Sequence, residues 1–305
     1  MLLKGQGVVV TRPHRIPGTA MGAGAAALAL TLAVALLVKT VDWPISFPQF
    51  LAYLAAGVLL VVAASFAFWS YCCFTLRYAM DRSGLTIAWG PIKHFVAIDS
   101  IEKLAAGRGE NRVSVRGLGW WGYHVGKGTV EPLGEALFFS THRSSEELVF
   151  VHTPSVVYAI SPQDPVRFIN DAMKFKSSGK PLRKSGVERD VIAGHPIWAD
   201  RPAQALAATA IVLNIVLWGF VFAVYPELNS QITIEFPPIG DITTLQSREE
   251  ILKIPATATA ILAINLVAAL AFEYRERAAT YLLMSGAVFF QLMFWAAAVV
   301  AIVNA

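Results

Sequence analysis

GTAMGAGAAALALTLAVALLV (Gly18–Val38) is a run of Ala, Leu and Gly without a single charge. A bilayer core takes roughly 20 apolar residues of helix to cross, and this stretch is long enough. Four more uncharged runs follow. Trp43–Leu76 contains one, with the helix expected over 49–73. Pro202–Pro226 is closed by its second proline. Pro255–Phe272 is shorter, with Pro255 suited to a first helical turn. Ala278–Val303 is the last. The first run is too long for the apolar part of a cleaved signal peptide, its basic residues lie well upstream, and a second run follows closely. The expected layout is therefore a tail at 1–17, spans at 18–38, 49–73, 202–226, 255–272 and 278–303, a mid-chain domain at 74–176, a basic linker at 177–201 and a loop at 227–254.

Composition agrees. Hydrophobic types make up 55% of the 305 residues and Asp, Glu, Lys and Arg only 15%, against about 25% charged in an average soluble domain. So few charges cannot clothe a globular surface of this size, which argues against a soluble enzyme, a disordered tail or a disulfide scaffold. The net charge of +4 is weak support for nucleic-acid binding, and none is expected. The only cysteines are Cys72 and Cys73. Neighbours rarely bridge each other, and no zinc spacing surrounds them. They read as small apolar residues at a helix end, with juxtamembrane acylation the alternative.

Lys and Arg set the orientation. With the N-terminus inside, 22 of the 25 basic residues fall inside, and only Lys39, Arg248 and Lys253 outside. Long domains translocate largely regardless of charge, so the short segments count most, and they also favour an inside N-terminus. The expectation is a bacterial plasma-membrane protein with a cytoplasmic N-terminus and central domain and an extracytoplasmic C-terminus.

The middle of the chain changes period. Leu85–Trp89 alternates as a half-buried strand does, between Asp81-Arg-Ser-Gly84 and Gly90-Pro91, both turn chemistry. His94–Ile98, Ala136–Phe139, Leu148–Val151 and Val156–Ile160 are further short strands, a cadence that suggests an antiparallel barrel or sandwich. A helix follows, with Ser161 expected as its N-cap, Pro162 in its first turn and Asp164 near the positive end of its dipole. Val166, Phe168, Ile169, Ala172, Met173 and Phe175 give it an apolar side.

These residues resemble a family. Tyr78 through Gly84-Leu85-Thr-Ile, Gly90, Ile98–Ile101, Gly117-Leu-Gly-Trp-Trp-Gly-Tyr-His-Val-Gly126, Phe138–Thr141, Leu148–Thr153, and Tyr158-Ala-Ile-Ser-Pro-Gln-Asp-Pro165 with Phe168 are similar to the bacterial pleckstrin-homology-like (PH-like) domain. The resemblance covers about one third of the chain. It implies a bent sheet or β-barrel capped by a C-terminal helix, and no enzyme. It carries over no lipid-binding residue set. The expected fold class is thus an α+β membrane protein: five transmembrane helices with a central cytoplasmic PH-like domain.

Catalytic motifs are weak. Gly117–Gly122 fits G-x-G-x-x-G, but the dinucleotide fingerprint must open a helix, and Gly126, Gly128, Pro132 and Gly134 forbid one. Gly122–Lys127 is one residue short of a P-loop, with Gly128 where Ser or Thr should hold magnesium. The six histidines show no ligand spacing; His142 and His152 could face each other across a hairpin. No nucleophile, metal or acid–base set can be assembled, no Asp or Glu lies inside a span, and no cofactor is expected.

Trp120, Trp121 and Tyr123 suit a place that is apolar at one end and wet at the other. They and Lys127 are candidates for membrane or partner contact, with burial in the domain equally open. Lys174, Lys176, Lys180, Arg183 and Lys184 either dock the domain on anionic lipid, at about 1 kcal/mol each, or serve only as topology determinants. Asn214, Asn265 and Gln291 lie near mid-span and are expected to bond between helices. Gly18, Gly22 and Ala26 allow close packing with another helix. In the loop before span four, Ile232–Phe236 could be a strand, and Ser247–Lys253 a capped turn. The leading expectation is an interaction module, scaffold or accessory subunit. Its partners would be the bilayer and a protein or a second copy. The alternative is a sensor of a small ligand or lipid headgroup.

Overall fold

The computed structural model describes residues 7–107, 113–131, 134–142, 144–178, 184–189, 193–235 and 243–303. In chain order the elements begin with β1 (Val9–Thr11), α1 (Ile16–Thr40) and α2 (Phe47–Thr75). Nine strands then follow: β2 (Arg77–Met80), β3 (Gly84–Trp89), β4 (Ile92–Ala97), β5 (Lys103–Ala106), β6 (Val113–Trp120), β7 (Tyr123–Val130), β8 (Gly134–Ser140), β9 (Val149–His152) and β10 (Val157–Ile160). The rest is α3 (Pro165–Ser178), β11 (Gly186–Arg189), α4 (Arg201–Val224), β12 (Gln231–Glu235), β13 (Thr243–Ser247), α5 (Lys253–Phe272) and α6 (Arg277–Val303). Five helices, α1, α2, α4, α5 and α6, are long and apolar enough to cross a membrane. Contacts divide the chain into two units: residues 1–31 with 60–194, and residues 32–59 with 195–305.

In the first unit the strands form two sheets, not a closed barrel. One has the order β1-β2-β3-β4-β11, the other β5-β9-β10-β8-β7-β6. Neighbours are antiparallel except β8 and β10, which run parallel. Period-two alternation explains how the six-stranded sheet is buried. Val125, Phe139, Val149, Val151 and Ile160 face one cluster with Leu85, Ile87 and Val96 of the other sheet. Their neighbours Phe138, Phe150 and Ala159 join a second cluster. Phe168 and Ala172 carry α3 onto the first cluster, while Val166 and Met173 on the same helix stay exposed.

Three local features depart from expectation. The N-terminal tail supplies β1, paired Val9↔Met80 through Thr11↔Tyr78. The basic linker supplies β11, paired with β4 from Gly186↔Phe95 to Arg189↔Ile92. The third concerns the C-terminal helix, which starts at Pro165 rather than Pro162: Asp164 Oδ1 accepts from Arg167 N–H (3.0 Å). Ser161 is used elsewhere. Its hydroxyl accepts from Thr141 N–H at 2.9 Å, and its own N–H donates to the Tyr78 hydroxyl at 3.2 Å. A buried hydroxyl that satisfies a strand end has no lone need to cap a helix.

In the second unit Gln49 closes the turn between α1 and α2, its amide donating to Thr40 O (3.1 Å) and Trp43 O (3.0 Å). Asp200 caps α4 by accepting from Ala203 N–H (3.1 Å). That bond, and a second from the Tyr281 hydroxyl at 2.8 Å, hold its carboxyl below the usual carboxylate range. β12 and β13 form a hairpin, Gln231↔Ser247 to Glu235↔Thr243, and a short 3-10 turn, Arg248–Leu252, leads into α5.

Burial pushes the pKa of His94 down, with Arg189 adding to it, and burial then Lys103 do the same for His152. Each keeps one buried ring nitrogen, Nδ1 of His94 and Nε2 of His152, without a partner. Both imidazoles are therefore held neutral in the fold. The unfolded chain binds more protons once pH falls toward the ordinary histidine value, about 6.5, so stability drops as pH decreases through that value. Thermal unfolding should show a lower midpoint at pH 5 than at pH 7.5. His94→Gln with His152→Gln should flatten that dependence; an unchanged slope would contradict this assignment.

Candidate functional site

The most densely built feature of the first unit is the β6–β7 hairpin and what it touches. Trp120 pairs with Tyr123, so only Trp121 and Gly122 make the turn. Gly122 has φ +82°, the left-handed conformation a type II turn demands at its third residue. The hairpin tip meets the first turn of α1 at Gly18. A Cβ on Gly18 would lie 2.1 Å from Gly122 O, and one on Gly122 2.6 Å from Gly18 N. Neither residue tolerates a side chain.

Trp120 reinforces the contact, its indole N–H donating to Gly18 O at 3.0 Å. Its ring edge also lies 3.2 Å from where a Cβ of Gly22 would stand. The Ser70 hydroxyl of α2 donates to Thr19 O of α1 at 2.8 Å. Rings continue from there: Phe66 to Trp69 (5.5 Å between centroids), Trp69 to Trp120 (6.1 Å) and Trp120 to Tyr123 (4.6 Å). Trp89 Nε1–H donates to the Tyr123 hydroxyl at 2.6 Å, and burial raises the pKa of that phenol. Gly18 and Gly22 thus serve a hairpin as well as a neighbouring helix, which their spacing alone did not reveal.

Residues 76–175 match the bacterial PH domain family. No curated protein and no solved structure shows a significant match to the chain. The match ends inside α3 and leaves out β1 and β11, so the PH-like domain is completed by strands from beyond its own segment.

The sequence candidates separate on this frame. Tyr123 is fully buried and Trp120 partly so, while Trp121 is 75% exposed. Around the same junction Ile16, Tyr71 and Phe74 are exposed, and the Arg15 guanidinium lies 4.4 Å above the Phe74 ring and donates to Phe74 O. A rim of aromatic and apolar groups beside an arginine suits a membrane–water border. Lys127 is exposed and directly opposite Arg116, also exposed. Like charges across a strand pair repel, and an anion between them would relieve that.

Two of the described basic residues near α3 are engaged within the domain. Lys174 pairs with Asp171 at 3.2 Å. Lys176 donates to Ile101 O (2.6 Å) and Glu102 O (3.0 Å), which ties α3 to the sheet rather than leaving its charge for a surface. Lys184 is exposed; Lys180 and Arg183 lie outside the described residues.

Within the helical unit Asn214 Nδ2 donates to Gln291 Oε1 at 3.1 Å, and Gln291 Nε2 to Ala258 O at 3.0 Å. The Thr259 hydroxyl sits 3.1 Å from Asn214 Oδ1 and 2.8 Å from Pro255 O, and accepts from Trp218 Nε1–H at 2.9 Å. These bonds link α4, α5 and α6. Asn265 behaves otherwise: its amide donates to Ile261 O (2.9 Å), one turn back in its own helix, so the interhelical role expected for it is corrected to an intrahelical one. The sequence reading did not pick out Thr259 or Trp218. A threonine one residue past the Ala258 carbonyl gives no signal of its own.

Trp120→Ala removes a packed ring and a hydrogen bond and should cost about 3–5 kcal/mol. Trp121→Ala, at an exposed position, should leave the thermal midpoint of the detergent-solubilised protein nearly unchanged. Equal effects from the two would refute the clamp. Gln291→Leu strands the Asn214 amide and should lower helical-unit stability by about 1–2 kcal/mol, read by steric-trap or denaturant unfolding in detergent.

Proposed function

We propose that this protein is a membrane-anchored PH-like interaction module: a scaffold or accessory subunit that holds a protein partner, or a second copy of itself, at the cytoplasmic face. The observation that carries this reading is the filled interior beneath the Gly-rich hairpin. Trp120, Tyr123, Trp69 and the apolar cluster of both sheets occupy the space where a sensor of small ligands would need converging polar groups. The clamp at Gly18 and Gly122 adds to it. A domain fixed to its anchors presents a constant outer face, which suits docking better than swinging. Exposed Trp121, Val166 and Met173 are the kind of large apolar side chains that anchor interfaces.

Sidedness follows from the distribution of Lys and Arg. The N-terminus and the PH-like domain lie in the cytoplasm, and β12–β13 and the C-terminus outside.

Gentle detergent extraction followed by mass spectrometry of the intact complex tests the function. A stoichiometric protein partner or a homo-oligomer is expected, and a lone monomer would overturn the proposal. Protease added outside sealed, right-side-out vesicles should spare the PH-like domain; its digestion there would reverse the assigned orientation.

A further inference from the structure

The sheet β1-β2-β3-β4-β11 carries charge in register on the face turned away from the core. β1 pairs with β2 up to Thr11↔Tyr78, and one step further along the same register sets Arg12 opposite Arg77. Pro13 follows Arg12, and the residue before a proline is held extended, which keeps Arg12 on the line of the strand. Alternation puts both arginines on the outer face: Tyr78 and Met80 lie in the core, while Val10, Arg12 and Arg77 are exposed. Across the sheet Arg77 stands opposite Ala88, Ala88 opposite Lys93, and Lys93 opposite Glu188. The row thus reads Arg12, Arg77, Ala88, Lys93, Glu188, with its one acid at the far end.

Residues opposite each other in an antiparallel pair have Cα atoms about 5 Å apart, so Arg12 and Arg77 repel. Among the described residues neither forms an ion pair with an acid. Arg15 lies within electrostatic reach of Arg12. The first turn of α1 holds no acidic residue either, and its dipole end is positive. An anion between the two arginines would turn repulsion into charge-assisted hydrogen bonds.

The row stands at the ends of two membrane-crossing helices. Arg77 opens β2 just past Thr75, the last residue of α2, and Arg12 lies just before α1 begins at Ile16. The β3–β4 turn is held against α2 as well: Gly90 N–H donates to Thr75 Oγ1 at 3.0 Å. Arg15 joins the row to the apolar rim, its guanidinium 4.4 Å above the ring of exposed Phe74, with Ile16 and Tyr71 exposed beside it. We infer that Arg12, Arg77 and Lys93 bind the headgroup phosphate of an anionic phospholipid. The phosphate accepts from the two guanidiniums, Lys93 adds a further positive charge along the row, and the lipid's apolar part meets Ile16, Tyr71 and Phe74. A free phosphate would use the charge and leave that rim idle. A zwitterionic lipid would bring its ammonium into a row whose acid is at the other end. The inference rests on the membrane reading of α1 and α2 and is independent of which protein the PH-like domain holds.

The test is native mass spectrometry of the full chain in mild detergent, titrated separately with phosphatidylglycerol and phosphatidylcholine. Phosphatidylglycerol should be retained better. Arg12→Gln and Arg77→Gln should each weaken its retention roughly fivefold, the worth of one basic residue at a membrane surface. Arg82→Gln removes the same charge from an exposed position in the turn at the far end of β2 and should leave retention unchanged. In lipid-free detergent Arg77→Gln should raise the thermal midpoint, because it removes the repulsion from Arg12. A lower midpoint would show Arg77 serving the fold itself and would overturn the inference. So would a loss in Arg82→Gln as large as in Arg77→Gln, equal retention of the two lipids, or a rise in midpoint with inorganic phosphate as large as with phosphatidylglycerol. A chain that stays in solution without detergent would instead remove the membrane reading beneath it.

Discussion

Everything in the first unit is organised by the approach of two backbones, at Gly18 and Gly122. With a Cβ on Gly18 standing 2.1 Å from a carbonyl oxygen, no larger residue fits without moving helix or hairpin. That closeness lets the Trp120 indole reach the Gly18 carbonyl. From Trp120 the rings of Trp69, Phe66 and Tyr123 spread the contact into the helix pair and the sheets. A tether of flexible linker would leave a PH-like domain free to tumble. Here its attitude to the ends of α1 and α2 is set by packing, and packed contacts of this kind are bistable or fixed rather than freely deformable.

How far this could be read from the sequence depended on the range of the interaction. The five apolar helices declare themselves through length and absence of charge, because the bilayer imposes both. The strands Leu85–Trp89 and Leu148–Val151 show in alternation and composition, and the Gly-rich hairpin and Ser161–Pro165 carried the family resemblance. What escaped were partners distant in the chain. Val9–Thr11 has too few residues for any period to register, and Gly186–Arg189 hides in a basic stretch whose charge invites a linker reading. Ser161 looked like a helix cap because nothing local announces that Thr141 and Tyr78 will claim it. Lys176 looked free for the same reason, its carbonyl partners lying some seventy residues upstream.

The helical unit solves a different problem. Inside an apolar bundle every amide needs a partner, and Asn214, Gln291, Thr259 and Trp218 satisfy one another across three helices. Ionisable groups are kept to the helix ends. Asp200 is stabilised by a backbone N–H and a phenol. His195 accepts Ile197 N–H at Nδ1, which leaves the proton on Nε2 to bond Leu270 O at 3.1 Å. Glu273 alone among these is buried and unanswered. Mid-span polarity thus holds the bundle together, and end-of-span polarity faces outward chemistry.

The strand β1 has a bearing on biogenesis. Its partner β2 emerges from the ribosome only after both intervening hydrophobic rods have been made. Val9–Thr11 therefore waits some seventy residues for Tyr78 and Met80, and the sheet gains its opposite border later still from Gly186–Arg189. Contacts of such long separation form slowly, and an unfinished sheet border is prone to stray pairing in the meantime. The pairing of Val9–Thr11 with β2 shows that α1 and α2 run out and back, so the first helix pair must form its turn before the sheet can close at this border.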